Sequence, residues 1–226
     1  MNKNLKITSL QRIGPHNLDI ISIIIGSILG DSHLEKRNTG IGTRINFEKS
    51  NKNVEYLMWF HNYLSNRGYC NLNKPKLHTR IIKNNKILFH YRMNSYTFSS
   101  LNWLHENFYV KNSFTNKFTK IIPKNIEEYL TPLALAIWFM DNSSNLLQEV
   151  SPSGLSINNF TLDEVKFICF ILYKKYNLIS TPQTGGKNKG YVLYIDKQSV
   201  PLFLSIVKKH MVPSLYYKAA GRGLSA

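Results

Sequence analysis

The stretch ALAIWFMDNSSN at residues 134–145 decides how the chain is read, because an apolar run ends abruptly on Asp141, Asn142 and a polar cluster. A second stretch, IIIGSILGDSHL at residues 23–34, stops in the same way on Asp31. Sliding one half over the other by 111 residues puts Asp31 on Asn142 (31 + 111 = 142) and Val54 on Val165 (54 + 111 = 165). In this register NKNVEYLMWFHNYLSNRGY lies over TLDEVKFICFILYKKYNLI. Both carry apolar residues three and four apart, which predicts amphipathic helices. One offset serving two elements predicts an internal duplication.

Each half continues with two strand-like runs about a turn. KLHTRIIKNNKILFHYRMN turns at Asn84 and Asn85, and STPQTGGKNKGYVLYID turns through Gly185 and Gly186. A further amphipathic helix follows in each, YTFSSLNWLHENFY and SVPLFLSIVKKHM. The stretch KNIEEYLTP bridges the halves, with Pro132 suited to a first helical turn and Thr131 to the cap before it. The boundaries expected are an extension at 1–17, a first repeat at 18–123, a linker at 124–130, a second repeat at 131–218 and a tail at 219–226.

A carboxylate at a helix C-terminus meets the negative end of the helix dipole, at a cost of roughly 0.3–1 kcal/mol when exposed. A divalent cation would offset it. Gly26 and Gly30 lie four apart, on one helical face, and would admit a second helix backbone at close range. If that partner is the helix ending at Asp141, the two ends build one shared oxygen-ligand site.

The chain has 226 residues and a hydrophobic fraction of 43%, enough to bury a core and to argue against disorder. Its 29 Lys plus Arg against 13 Asp plus Glu give a formal charge of +16, which makes a polyanion the leading partner and nucleic acid a better one than a membrane. The basic residues are interleaved with Tyr, Asn, Thr and Gln, as on a folded binding surface. Cys70 and Cys169 have no metal-ligand or redox spacing and are read as reduced. The apolar run at 20–29 is too short to span a bilayer, and the opening residues carry no signal-peptide core, so an intracellular protein is expected. Richness in Asn, Lys, Ile and Tyr points to an AT-rich coding genome such as that of a mitochondrion or chloroplast.

The two motifs, IIGSILGDS at residues 24–32 and LAIWFMDNS at 135–143, resemble those of the LAGLIDADG homing endonucleases in their single-chain, two-motif form. The flanks INFEKSNK, TKIIPKNIEEYLTP, FTLDEVKF, YVLYID and VPSLYYK are similar too, so the resemblance runs from about residue 18 to 218. It implies an α+β, pseudo-twofold, duplicated αββαββα fold. In that implied fold the motif helices would form the central interface and two antiparallel sheets a saddle that reads the major groove. It implies a monomer that binds duplex DNA at a long, asymmetric site and cleaves phosphodiester bonds with Mg²⁺ or Mn²⁺.

Carried over by position, Asp31 is the first motif acid and Asn142 stands where the second acid is expected. The amide can still coordinate but brings no charge, so weakened or strand-biased cleavage is implied. Gly30 and Asp141 occupy the preceding motif position and complete the implied metal-site set, in which Asp141 would supply a charge only if its helix end rotated. Lys120 and Lys218 match lysines near the scissile phosphates, and Glu48 and Asn158 match positions flanking the metals. For these four, an ordinary phosphate contact or hydrogen-bonding role stays open. Arg44, Arg80, Lys83, Arg92, Lys187 and Lys189 lie on or beside the candidate strands as DNA contacts, each better suited to a phosphate than to a base. Two other functions stay open: an intron maturase that binds structured RNA and assists splicing, and a DNA-binding member without catalysis.

Overall fold

The computed structural model describes residues 7–14, 16–36, 40–50, 53–81, 85, 87–141, 154–157, 159–185 and 190–219. Contacts divide the chain into two compact units, one of Met1–Ile20 with Ser32–Glu106 and one of Ile21–Asp31 with Asn107–Ala226. Asn17 starts the first helix, α1 (Leu18–Leu29), its Oδ1 accepting from the Ile20 amide at 3.0 Å. The body of α1 packs with the second unit.

The first unit holds β1 (His33–Lys36), β2 (Thr43–Ser50), α2 (Val54–Ser65), β3 (Lys76–Ile81) and β4 (Ile87–Asn94), followed by a 3-10 turn and all but the last two residues of α3 (Asn102–Phe108). Its sheet is antiparallel throughout, in the order β1-β2-β4-β3. Strand β2 alternates strictly, with Thr43, Ile45, Phe47 and Lys49 buried and Arg44, Asn46 and Glu48 half-buried on the opposite face. The inward residues meet α2, whose Tyr56, Leu57, Phe60 and Leu64 recur at three- and four-residue steps. Phe47 stacks on Phe60 with ring centroids 4.0 Å apart. Asn85 sits at the β3–β4 turn with φ of 54°, a left-handed conformation that asparagine tolerates. Asn84 lies outside the described residues.

The second unit contains β5 (Tyr109–Lys111) and β6 (Phe118–Lys120) as a hairpin, the short helix α4 (Ile126–Tyr129) and the second motif helix α5 (Pro132–Asp141). Then come β7 (Gly154–Ser156), α6 (Leu162–Tyr176), β8 (Ser180–Thr184), β9 (Tyr191–Ile195) and α7 (Val200–Val207). Thr131 caps α5 as expected, its Oγ1 accepting from the Ala134 amide at 3.1 Å. A reciprocal capping box fixes the start of α6: the Thr161 hydroxyl accepts from the Glu164 amide, and the Glu164 carboxylate accepts from the Thr161 amide at 2.7 Å. Asn177, with φ of 54°, ends that helix.

The second sheet runs β7-β9-β8, all antiparallel. This is the order of β2-β4-β3 repeated, so the duplication seen in the sequence holds at the level of strand pairing. The counterpart of β1 would fall within 142–153, outside the described residues. Phe203 of α7 meets Phe139 of α5 edge-on at 5.3 Å, carrying the core of this unit through the motif helix. The long third helix of each half is shorter than its periodicity predicts. Ser99–Leu101 and Lys208–His210 are 3-10 turns in place of α-helix. Both cysteines are free thiols, and burial pushes Cys70 up to about 11, too high for ready ionisation.

Candidate active site

The two motif helices approach through their small residues. A Cβ at Gly26 would fall onto the Ala134 carbonyl oxygen and within 2.8 Å of Ile137 Cβ, and one at Gly30 would fall onto Asp141 Cβ and within 2.7 Å of its Oδ2. Under the repeat offset Gly26 corresponds to Ile137 (26 + 111 = 137) and Gly30 to Asp141 (30 + 111 = 141). Equivalent positions therefore touch each other, which is the signature of two helices packed about a local twofold axis. The Thr131 hydroxyl donates to Ser22 Oγ at 2.7 Å across the same contact. Asp31 and Asp141 thus end two helices that are in direct contact. Asp31 is exposed, whereas Asp141 retains 1% of its surface.

A lysine reaches each helix end. Lys120, the last residue of β6, donates from Nζ to the Ile28 carbonyl at 2.7 Å, and Lys218, ending a 3-10 turn over Pro213–Lys218, donates to the Met140 carbonyl at 2.7 Å. These carbonyls belong to the last turns of α1 and α5, where the helix leaves its acceptors without intrahelical donors. A cation there also opposes the negative end of the dipole. Burial drives the Lys120 amine down to about 8, against the pull of the Asp31 and Asp141 carboxylates, which favour its charge. Lys218 is 6% exposed, so its stem is packed into the unit.

The donor set suits a hard divalent cation. It offers carboxylate oxygens and no cysteine or histidine, and among the described residues no group of three or more His, Cys, Asp and Glu could hold a metal by itself. A cation at these helix ends would therefore draw further oxygen ligands from water or a substrate phosphate, as Mg²⁺ prefers.

The structure brings Gly30, Asp31, Lys120, Asp141 and Lys218 into one unit. Asn142 and Asn158 lie outside the described residues, as do Lys83, Lys187 and Lys189. Glu48 stands on β2 in the first unit, where its Oε2 accepts from Arg92 Nη2 at 2.7 Å and Nε at 2.9 Å. His90 Nε2 lies 3.6 Å from its Oε1. Arg44 is held in the same manner by Glu35 on β1, at 2.6 and 3.0 Å. The register makes both pairs direct cross-strand neighbours, Glu35 opposite Arg44 and Glu48 opposite Arg92. Arg80, opposite Leu88, is exposed on the same sheet.

Sequence reasoning missed several residues on that face. His78 and His90 stack across β3 and β4 at 5.7 Å, beside Lys76 opposite Arg92. The alternation in KLHTRI carried this signal, since His78 falls between Lys76 and Arg80 at two-residue steps. The β5–β6 hairpin was also missed. Its strands span three residues each, too few for a periodic pattern to stand out.

Comparison with known proteins agrees with this geometry. A model of the "LAGLIDADG DNA endonuclease family" matches residues 21–203. The chain is 41% identical over 220 residues to the cytochrome b mRNA maturase bI2 of Saccharomyces cerevisiae, covering 95% of this chain and 51% of that protein. It therefore spans about half the length of that relative. The intron-encoded endonuclease ai4 of Dictyostelium discoideum is 34% identical over 161 residues, covering 69% of this chain and 95% of that one. The solved structure of the homing endonuclease I-WcaI bound to its DNA recognition sequence superposes with a TM-score of 0.76 at 23% identity, over 90% of this chain and 87% of that one, and so shares the fold. With nested glycines joining paired motif helices, a lysine at each helix end and a family match over most of its length, the chain belongs to the LAGLIDADG DNA endonuclease family.

Proposed function

We propose that this chain is a site-specific, metal-dependent DNA endonuclease that binds a long, asymmetric duplex as a monomer and cleaves it weakly or with a strand bias. The observation that carries the reading is the paired helix end, where Asp31 and Asp141 flank a lysine whose amine is held down to about 8. Arg44, Arg80 and Arg92 on the first sheet, with Lys83, Lys187 and Lys189, serve as contacts to the DNA. Asp31, with Gly30, Asp141 and Asn142 at the same helix ends, would hold Mg²⁺ or Mn²⁺, and Glu48 and Asn158 would flank the site. A bound divalent cation would supply Lewis acidity toward the phosphate oxygens.

The remaining chemistry belongs to the chain's own groups. Lys120 Nζ, anchored on the Ile28 carbonyl, sets a positive charge where the phosphate accumulates negative charge. With a value of about 8, that Nζ can also exchange a proton near neutral pH. Lys218 Nζ, held on the Met140 carbonyl, sets a positive charge at the other helix end. Asn142 supplies an oxygen without a charge, so the second end stabilises the transition state less than the first.

The test is a plasmid carrying a duplex that the chain selects from a random pool, incubated with purified protein and Mg²⁺ or Mn²⁺. Nicking in excess of double-strand cleavage, with Asn142→Asp restoring cleavage of both strands at unchanged affinity, is the expected result. A plasmid that is bound yet neither nicked nor cut removes the catalytic reading. A maturase reading is favoured by one specific observation, the 41% identity to the cytochrome b mRNA maturase. It is tested by splicing of the host intron with and without protein, and lack of acceleration removes it. An organellar location, in a mitochondrion or chloroplast, is supported by the AT-rich coding signature and the intron-encoded relative. Among the described residues no helix is long and apolar enough to cross a membrane.

A further inference from the structure

The β5–β6 hairpin leads away from Lys120 and is built to hold an aromatic ring in water. At its tip the Asn112 Oδ1 accepts from the amides of Phe114 and Thr115, both at 2.9 Å, while the Asn112 amide donates to the Lys117 carbonyl at 2.8 Å. Asn116 adopts φ of 53°, which completes the tight turn. This ordered turn leaves Phe114 95% exposed, the most exposed aromatic among the described residues. Exposing a phenyl ring forgoes burial free energy, and an ordered turn does not need one.

The charge around it has one sign. From Asn107 to Asn125 the sequence contains Lys111, Lys117, Lys120 and Lys124 and no acidic residue. Lys111 pairs with Phe118 and Tyr109 with Lys120, so Lys111 and Lys120 project from the same face of the hairpin. At about 3.4 Å per strand residue, Lys117 stands roughly 10 Å along the hairpin from Lys120. That equals about three nucleotide steps of one DNA strand at about 3.4 Å each.

We propose that this hairpin is a second DNA-binding element, an arm that follows the strand beyond the scissile phosphate. Lys111 and Lys117 contact backbone phosphates, and Phe114 stacks or wedges against a base or sugar at its tip. It rests on the endonuclease reading, because Lys120 at its base is the group assigned to the scissile phosphate. A bare apolar contact surface for protein would not be ringed by lysines alone, so a polyanion with flat apolar faces is the fitting occupant.

The experiment measures affinity of the full chain for its pool-selected duplex by fluorescence anisotropy across a salt series. Lys111→Ala with Lys117→Ala is expected to reduce the slope of log affinity against log salt by about 1.8, the value for two phosphates. Phe114→Ala is expected to weaken binding about tenfold at every salt concentration with the slope unchanged, and Phe114→Trp to restore it. All three positions are exposed, and matching denaturation midpoints verify that the variants fold. Wild-type binding with every variant unchanged overturns the arm and leaves the endonuclease reading standing. Failure of the wild-type chain to bind any duplex overturns both. Variants that lose affinity for a structured intron transcript but keep full affinity for DNA also overturn the arm as proposed.

Discussion

Gly26→Ala sets two physical effects of opposite sign against each other. In an isolated helix the change would stabilise by about 0.8–1.0 kcal/mol, because alanine loses less backbone freedom than glycine. Here the added methyl would land on the Ala134 carbonyl oxygen and lie 2.8 Å from Ile137 Cβ. The first of these is backbone, which cannot rotate away, so α5 must withdraw or tilt. Overpacking of this kind costs typically 1–3 kcal/mol, and the backbone obstacle places it at the upper end. Subtracting the helical gain leaves a net loss of about 2 kcal/mol, or a fall in melting temperature of roughly 4–8 °C for a domain of this size.

Trp138 of α5 is fully buried in the second unit, while Trp59 and Trp103 belong to the first. Its fluorescence in a Trp59→Phe, Trp103→Phe background therefore reports on the second unit alone. Ser27→Ala, one residue along the same helix, adds no atom and loses only a bond to the Ile24 carbonyl at 2.8 Å, so it serves as the control. Denaturant unfolding that shows Gly26→Ala equal to or more stable than the parent would refute close helix approach at this position.

Other expectations follow from the helix ends and caps. Lys120 releases its proton near 8 in the folded chain but near 10.5 when unfolded. Between those values the unfolded state holds more protons, so stability attributable to this group rises with pH there, by at most about 1.4 kcal/mol per pH unit. Lys120→Met should flatten that rise, as read from urea midpoints between pH 8 and 10, and an unchanged slope would exclude Lys120 as its source. Lys218→Met strips the buried Met140 carbonyl of its donor and should cost about 1–3 kcal/mol, measured by the same Trp138 signal. Thr161→Ala removes half of the capping box on α6 and should cost about 1 kcal/mol in urea unfolding; Thr161→Asp should recover most of it.

What could be read from the sequence was what depends on local period. The α2 and α6 helices, the β3–β4 turn at Asn85 and the glycine face of α1 each write a repeat or a special backbone position directly into the residue order. The contact of Gly30 with Asp141 was accessible for a further reason: the duplication supplied a symmetry, and symmetry turns two local patterns into one long-range contact. Register across strands has no such shortcut. Arg44 and Arg92 looked like open cations in the sequence, and only the pairing of β1 with β2 and β2 with β4 brings Glu35 and Glu48 opposite them. Likewise the carbonyl contacts of Lys120 and Lys218 join residues 92 and 78 positions apart, beyond any periodic signal.

Those arginine pairs change how the charge of +16 is to be counted. A phosphate that approaches Arg44 or Arg92 meets a guanidinium whose charge is already offset by a bonded carboxylate, so each contact yields little net attraction. The effective valence of the first sheet toward random sequence is accordingly smaller than its number of cations. A base edge differs, because it can use the donors that the glutamate leaves uncommitted and keep the guanidinium plane as the glutamate sets it. Neutralised in this way, a sheet that reads DNA as proposed would lose less of its discrimination to the vast excess of unrelated genomic sites than an unpaired arginine surface would.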